Sequence, residues 1–206
     1  MIVTHLETDA RTKKVKVYID GNYSFFLSKK ELDLYKLEEG QELSNQLYND
    51  IIENIIIPRA KEKALSILDY SDKTETELKH KLVQAGYNSD IIERTIDYLK
   101  AYSYINDERY AAGFIRSNKQ RKSKLAITAL LSQKGVDKSV INRAMSEEYY
   151  DDSGNDYEFE AIKKAVSKKV TSVENLDYTQ KQKLIASLCR KGFDPDKVMK
   201  VLDYML

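Results

Sequence analysis

The spacing of hydrophobic residues divides the chain into a short strand-forming segment and a long helical one. Within the first 50 residues, Val15, Val17 and Ile19 alternate with Lys14, Lys16 and Tyr18, which is the period of a half-buried strand. From about residue 47 onward, the apolar residues recur at the three- and four-residue intervals of an amphipathic helix. The pattern therefore predicts a mainly α fold preceded by a small β-containing unit.

A tight turn is predicted inside the N-terminal unit. Asp20-Gly21 lies between two apolar runs, and a two-residue primed turn requires positive φ at both central positions. A third strand over Ile2 to Leu6 is expected to join this hairpin, because an isolated hairpin is only marginally stable.

A short helix is predicted after the hairpin. Ser28 has the side chain of an N-cap for a helix over residues 29–37, and Glu31 stands at the capping-box position. Gly40 is expected to end this piece. Further on, Pro58 follows an isoleucine-rich face, and we expect it to kink or restart a helix and to mark a domain boundary.

The most informative feature of the sequence is an internal repeat centred on Gly86, Gly135 and Gly192. Apolar residues occupy five equivalent positions in all three copies, at −8, −4, +1, +6 and +10 from the glycine. They are Leu78, Leu82, Tyr87, Ile92 and Ile96; Ile127, Leu131, Val136, Ile141 and Met145; and Leu184, Leu188, Phe193, Val198 and Leu202.

Each copy has the pattern of a helix, a glycine and a second helix. Glycine closes the first helix in the left-handed conformation, and Asn88, Asp137 or Asp194 can cap the second one. A further helical pattern precedes each pair, over residues 60–68, 110–116 and 159–170. Stacked three-helix units, forming an elongated assembly of tandem repeats, are therefore predicted.

This organisation predicts four segments. Residues 1–57 form the hairpin and helix unit, residues 58–105 the first three-helix repeat, and residues 106–150 the second. Residues 151–206 hold the third repeat behind an acidic, solvated linker, which extends over residues 149–160. The acids of that linker do not have the spacing of a calcium loop.

Composition limits the possible partners and compartment. With 34 basic and 33 acidic residues among 206, the formal net charge is only +1, so any charged partner must be met by a local patch. The single cysteine, Cys189, lies at helical spacing among apolar residues and is expected in the core, and it excludes a disulfide framework. No signal peptide or membrane-spanning run is found, and a cytoplasmic location is expected.

The residues needed for catalysis are scarce. His5 and His80 are the only histidines, and neither has a second ligand at the spacing of a metal site. No phosphate-binding glycine loop and no nucleophile elbow occurs. We therefore expect no catalytic residues, no cofactor and no metal.

Two segments are candidates for contact with a partner. The first is residues 102–112, which includes Asp107, Glu108, Arg109 and Tyr110. Asn106 or Asp107 capping a helix would explain the acids. The clustered tyrosines and the arginine either pack a junction between repeats or face a partner, and the sequence leaves both interpretations open.

The second segment is strongly basic. Residues 116–124 contain five basic side chains and no acid, which suits phosphates or an acidic protein surface, although a solvated loop between helices has the same composition. The five are Arg116, Lys119, Arg121, Lys122 and Lys124. Lys163, Lys164, Lys168 and Lys169 form a weaker basic stretch on a predicted helix.

The sequence resembles the RecX family of recombinase modulators over roughly residues 60–206. The resemblance lies in Thr76-Glu77-Leu78 through Gly86, in residues 104–111, and in residues 131–136. The central stretch is the most specific of the three. Family members usually carry two aspartates where this chain has Asn106-Asp107, and often a glycine near Ser123.

The resemblance implies a curved stack of three-helix repeats that binds in the groove of a RecA recombinase filament on DNA. Such proteins limit filament growth and reduce ATP hydrolysis and strand exchange, with no cofactor of their own. On this basis the two candidate segments become the expected contacts with the filament. A free-standing nucleic-acid-binding module is the alternative.

Overall fold

The computed structural model describes residues 1–149 and 156–205. Its described residues fold into an N-terminal three-stranded sheet and three tandem three-helix repeats, so the prediction of a mainly α fold is confirmed. The residues fall into two compact units, Met1–Ile105 and Asn106–Leu206.

The first unit begins with an antiparallel sheet in the order β1 (Val3–Thr8), β2 (Lys14–Ile19) and β3 (Asn22–Ser28). The predicted hairpin turn is confirmed, since Asp20 and Gly21 have φ values of 47° and 80°. The predicted third strand is confirmed as well, and it pairs with β2 from Val3 to Thr8.

The predicted capping box is also present. The Ser28 side chain accepts a hydrogen bond from the Glu31 backbone amide, and Glu31 accepts one from the amide of Ser28, at the start of α1 (Lys29–Tyr35). The end of this helix was predicted wrongly. Lys36 closes it in the left-handed conformation, and Gly40 lies in the loop that follows.

Pro58 does not interrupt a helix. The chain runs from α2 (Asn45–Ile51) through a π-helical turn (Ile52–Ile56) directly into α3 (Ile57–Tyr70). Pro58 lies directly after the π-helical turn, so the hydrogen-bond pattern changes where the proline has no N–H to donate. One hydrophobic core includes residues from the sheet, the π turn and the first repeat, so the boundary placed after residue 57 stays a prediction.

Each repeat is built from three helices. The first contains α3, α4 (Glu75–Gln84) and α5 (Ser89–Ala101). The second contains α6 (Asp107–Asn118), α7 (Lys124–Gln133) and α8 (Lys138–Glu148). The third contains α9 (Tyr157–Ser167), α10 (Tyr178–Arg190) and α11 (Pro195–Tyr204).

The internal repeat read from the sequence corresponds to the observed core. Gly86, Gly135 and Gly192 all have positive φ, between 81° and 93°, as expected for glycines that follow a helix end. All fifteen equivalent apolar residues are buried. Asn88, Asp137 and Asp194 cap the following helices through their side chains.

Two predictions about the third repeat were wrong. Residues 156–160 are not a solvated linker, because Asp156 caps α9 and Glu158, only 8% exposed, lies in its first turn beside Lys197. Residues 150–155 of the predicted linker lie outside the described residues. Cys189 is partly exposed rather than a core residue, because the buried face of α10 is formed by Leu184 and Leu188.

Candidate partner-binding surface

The first candidate segment forms the start of α6. Asn106 is the N-cap, and its side chain accepts a hydrogen bond from the Arg109 amide at 2.8 Å. Asp107 and Glu108 occupy the first turn, where a negative charge is favoured by the helix dipole. Glu108 also pairs with Arg143 of α8 at 3.1 Å. The prediction that Asn106 caps this helix is therefore confirmed.

Tyr110 is held inside the second repeat. Its ring is half-buried, stacks on Phe114 at 6.3 Å between ring centroids, and has the Lys134 ammonium 5.5 Å from its centroid. Arg109 is exposed on the same turn. Of the four residues predicted here, Glu108 and Arg109 are the exposed ones, and their role as partner contacts stays a prediction.

The second candidate segment divides into two parts. Arg116 forms an ion pair with Glu148 at the end of α8. Lys119 donates to the Glu148 backbone carbonyl at 2.8 Å and lies 3.8 Å from the centroid of the Tyr157 ring. These two cations therefore stabilise the second repeat and its contact with α9.

Arg121 and Lys122 lie beyond this internal network. Both are exposed in the loop between α6 and α7, and Lys124 is half-buried in the first turn of α7. Within residues 1–149 and 156–205, Arg121 and Lys122 form no ion pair. Their charges are therefore available to a partner.

The structure brings Arg121 together with the second basic stretch of the sequence. A groove of about 820 Å³ is formed between the loop after α6, helix α9 and the end of α10. Six basic side chains and a single acid, Glu160, line it. The six are Arg121, Lys163, Lys164, Lys168, Lys169 and Lys191. We call this the cationic groove.

Several lysines of the cationic groove are positioned by neutral partners. Lys164 donates to the Gln120 side chain at 3.1 Å, Lys169 donates to the Ser187 hydroxyl, and Lys163 lies 5.1 Å from the centroid of the Tyr204 ring. In the part of the chain that the structure describes, none of the six forms an ion pair. The groove therefore carries six positive charges against the single negative charge of Glu160.

The sequence analysis identified most of the basic residues of the cationic groove but did not predict that they lie together. Both basic runs were recognised, yet 38 residues separate Lys124 from Lys163, and the two runs meet only because α9 lies beside the end of α6. Lys191 was missed because a lysine before a helix-terminating glycine is common on any surface. The Ser123 hydroxyl holds the backbone of this residue in place by donating to the Lys191 carbonyl at 2.7 Å.

Potential metal ligands are dispersed over the described residues. No group of three occurs among them, and His5 pairs with Glu39 at 2.8 Å. None of the described helices is long and apolar enough to cross a lipid bilayer.

Comparison with known proteins gives the family. Models of the first, second and third three-helix domains of RecX match residues 60–99, 106–145 and 156–202 in turn. The chain belongs to the RecX family. The three matches coincide with the three repeats of the structure, and the family is one of regulatory proteins.

Individual relatives extend the match through the N-terminal sheet. The regulatory protein RecX of Clostridioides difficile is 32% identical over 100% of this chain and 96% of its own length. That of Clostridium acetobutylicum is 30% identical over 97% of this chain and 94% of its own. The sheet is therefore common to this chain and to these RecX proteins.

Two crystal structures show the same fold. A regulatory protein RecX aligns with a TM-score of 0.65 at 24% identity and covers 98% of both chains. RecX from Lactobacillus salivarius aligns with a TM-score of 0.61 at 25% identity, over 72% of this chain and 96% of its own. Three-helix repeats behind a small sheet are thus a RecX fold.

Proposed function

We propose that this protein binds the filament that a RecA-type recombinase forms on DNA, and that it restrains filament extension, ATP hydrolysis and strand exchange. The observation that carries the proposal is the match of the whole chain to regulatory RecX proteins. The protein acts by occupying a surface of the filament and has no reaction or cofactor of its own. It works where the filament forms, in the cytoplasm.

The cationic groove is the contact with the DNA component of that filament. Six basic side chains opposed by one acid can neutralise several backbone phosphates, and the release of counterions then favours binding. The groove exposes no aromatic ring on which a base could stack, which fits contact with the sugar-phosphate backbone rather than with bases.

The exposed start of α6 is assigned to the protein component. Asp107, Glu108, Arg109 and Tyr110 lie on one helical turn, and arginine and aromatic side chains such as those of Arg109 and Tyr110 are enriched at protein interfaces. Lys122, in the loop before α7, and Lys124, in the first turn of α7, form a second contact near the other end of α6. Arg116 and Lys119 lie at that end as well, where they contact Glu148 and Tyr157.

The test is the rate of ATP hydrolysis by the cognate recombinase on single-stranded DNA as the protein is titrated in. Hydrolysis should fall at protein concentrations that leave free DNA unbound, measured in parallel by fluorescence anisotropy. Unchanged hydrolysis at saturating protein would refute filament regulation.

A charge-reversed variant tests the cationic groove. Replacing Arg121, Lys163 and Lys168 by glutamate should raise the concentration needed for half-maximal inhibition at least about tenfold, since each lost phosphate contact weakens binding. The matched control replaces Lys30, Lys138 and Lys183, which are exposed elsewhere, by glutamate with the same change in net charge. Equal inhibition by both variants would remove the groove from the mechanism.

Charge reversal of these three groove residues is a better test than charge reversal of all five cations in residues 116–124. Reversing all five cations of residues 116–124 would also place glutamates at Arg116 and Lys119 beside Glu148. Loss of inhibition could then reflect a damaged second repeat.

The second candidate function is a free-standing nucleic-acid-binding module, and the unpaired charge of the cationic groove favours it. It predicts tight DNA binding in the absence of recombinase, with an affinity that falls steeply as salt is raised. Strong DNA binding without any change in recombinase activity would select this function over filament regulation.

A further inference from the structure

A second concave surface lies next to the cationic groove and differs from it in chemistry. It is a pocket of about 520 Å³ between the start of α7 and the turn that joins α10 to α11. Arg121 and Lys191 line both this pocket and the cationic groove, so the two are adjacent. We call the second surface the α7 pocket.

The floor of the α7 pocket is apolar. Leu125, Ala126 and Ala129 of α7 form one side, and Phe193 closes the base. Leu125 is 65% exposed, and its side chain lines the pocket. An apolar group entering from solvent would be desolvated against these side chains.

The rim of the α7 pocket is basic. Arg121 and Lys122 stand on one side, Arg190 and Lys191 stand on the other, and no acidic residue lines the pocket. Among the residues that the structure describes, none of these four cations is paired with a carboxylate. The start of α7 adds the positive end of a helix dipole to the same side.

The walls of the α7 pocket are fixed by a close contact between the second and third repeats. The Ser123 hydroxyl is fully buried and donates to the Lys191 carbonyl at 2.7 Å. A Cβ atom on Gly192 would lie 2.9 Å from the Ser123 hydroxyl and 3.1 Å from the Leu125 Cβ, so the backbone approach requires glycine. A pocket with fixed walls binds a ligand without a large ordering cost.

We propose that the α7 pocket binds an acidic protein segment that carries one bulky apolar side chain. The apolar side chain would lie on Leu125, Ala126 and Ala129, and carboxylates on either side of it would pair with Arg121, Lys122, Arg190 and Lys191. Anchors of this kind, a desolvated apolar group surrounded by charge pairs, carry much of the energy of peptide recognition. The occupant would be a further partner, beyond the proposed function, and it would share Arg121 and Lys122 with the proposed filament contact.

A protein segment fits the α7 pocket better than a nucleic acid does. Single-stranded nucleic acids are held by exposed aromatic rings on which bases stack, and the aromatic residue here, Phe193, is only 4% exposed. The aliphatic floor offers nothing to a phosphate backbone. The adjacent cationic groove, which has no comparable floor, is the surface suited to phosphates.

The experiment measures binding of a fluorescein-labelled synthetic peptide of aspartate and glycine with one central phenylalanine. The purified full-length protein is titrated into it at physiological salt, and anisotropy is recorded. A second peptide has serine in place of phenylalanine. Unlabelled oligothymidine of equal charge serves as competitor.

Two variants of exposed residues probe the floor and the rim separately. Leu125→Ser should weaken binding about fivefold and Arg190→Glu about tenfold, the sizes expected for an apolar anchor contact and a reversed charge pair. Val83→Ser is the control for the floor, because Val83 is 61% exposed on α4, and Lys183→Glu is the control for the rim. Both controls should bind as the wild-type protein does.

The outcomes separate the α7 pocket from its alternatives. Binding that requires phenylalanine and is weakened by Leu125→Ser and Arg190→Glu supports the proposal. Absence of binding, or binding that neither variant changes, overturns it. Displacement of the peptide by oligothymidine with sensitivity to Arg190→Glu alone also overturns it, and assigns the rim to nucleic acid.

Discussion

At the scale of single residues, two glycines with the same backbone conformation differ in what surrounds them. Gly192 and Gly40 share the same φ of 82°. Nothing lies within 4 Å of a Cβ on Gly40, whereas a Cβ on Gly192 would meet Ser123 and Leu125. An alanine at Gly40 therefore introduces backbone strain alone, whereas an alanine at Gly192 introduces the same strain together with a steric conflict.

Gly40→Ala should lower the free energy of unfolding by about 1 kcal/mol, the cost of a left-handed conformation for a residue with a Cβ. Gly192→Ala should lower it by about 2–4 kcal/mol, because steric conflict is added to the same strain. Urea denaturation followed by circular dichroism measures both. Equal losses would mean that the second and third repeats move apart at no cost.

Residue chemistry also explains which site residues the sequence could identify. The cap at Asn106 and the basic run at residues 116–124 were visible because their signals are local. The internal partners of Arg116 and Lys119 were not, since Glu148 lies about 30 residues away and only the packing of α6 on α8 brings it near.

At the scale of elements, the beginning of α9 is held by charge as well as by a cap. Asp156 accepts hydrogen bonds from the Glu158 and Phe159 amides at 3.1 Å and pairs with Lys197 of α11 at 2.9 Å. Partial burial opposes ionisation, but these bonds outweigh it and hold the pKa of Asp156 below its usual 3.8. The same pairing raises the pKa of Lys197 although desolvation opposes it.

The stability of the start of α9 should therefore depend on pH. A carboxyl group with a lowered pKa contributes stability that is complete above its unfolded value of 3.8 and is lost as the pH falls below it. Hydrogen exchange of the α9 amides should accelerate between pH 5 and pH 2 in the wild-type protein. Asp156→Asn retains the cap but not the charge, so its exchange should show a smaller pH dependence after correction for intrinsic rates.

An identical pH dependence in Asp156→Asn would assign the acid sensitivity to other carboxylates. The start of α9 was predicted to be part of a linker because its acidic residues were interpreted as solvated. The sequence alone does not reveal Lys197, which is 41 residues further along the chain.

At the scale of the whole molecule, the first compact unit has one hydrophobic core and the second has two, one in each of its repeats. The core of the first unit includes residues of the sheet as well as of α3, α4 and α5. Phe26 of β3 packs on Tyr87 at 5.3 Å between ring centroids and lies 3.5 Å from a Cβ position on Gly86. Tyr23 donates to the Gly86 carbonyl, and burial raises its pKa to about 12.

Phe26→Ala should therefore destabilise the first repeat and not only the sheet. Truncation of a buried phenylalanine costs about 3–5 kcal/mol. Hydrogen exchange measured by mass spectrometry should show α4 and α5 losing protection together with β2 and β3, and a smaller change in residues 106–149 and 156–205. Loss confined to the strands would show that the sheet is a separate cooperative unit.

The fold as a whole was largely predictable because it repeats. The same helix ends and the same core positions are predicted from each of the three copies, so the prediction for one copy is supported by the other two. The surface has no such redundancy. The cationic groove and the α7 pocket exist because the second and third repeats meet, and no local pattern encodes that meeting.

The π-helical turn between α2 and α3 has a consequence for how the chain tolerates change in length. A π turn holds one residue more than an α-helical turn, which is how a helix accommodates a single inserted residue without breaking. Removing that residue would rotate α2 by about 100° relative to α3 and turn Ile51 away from the core. Deletion of one residue from the π turn therefore requires compensating changes along α2, whereas insertions and deletions in the loops on either side of the helix do not change this register.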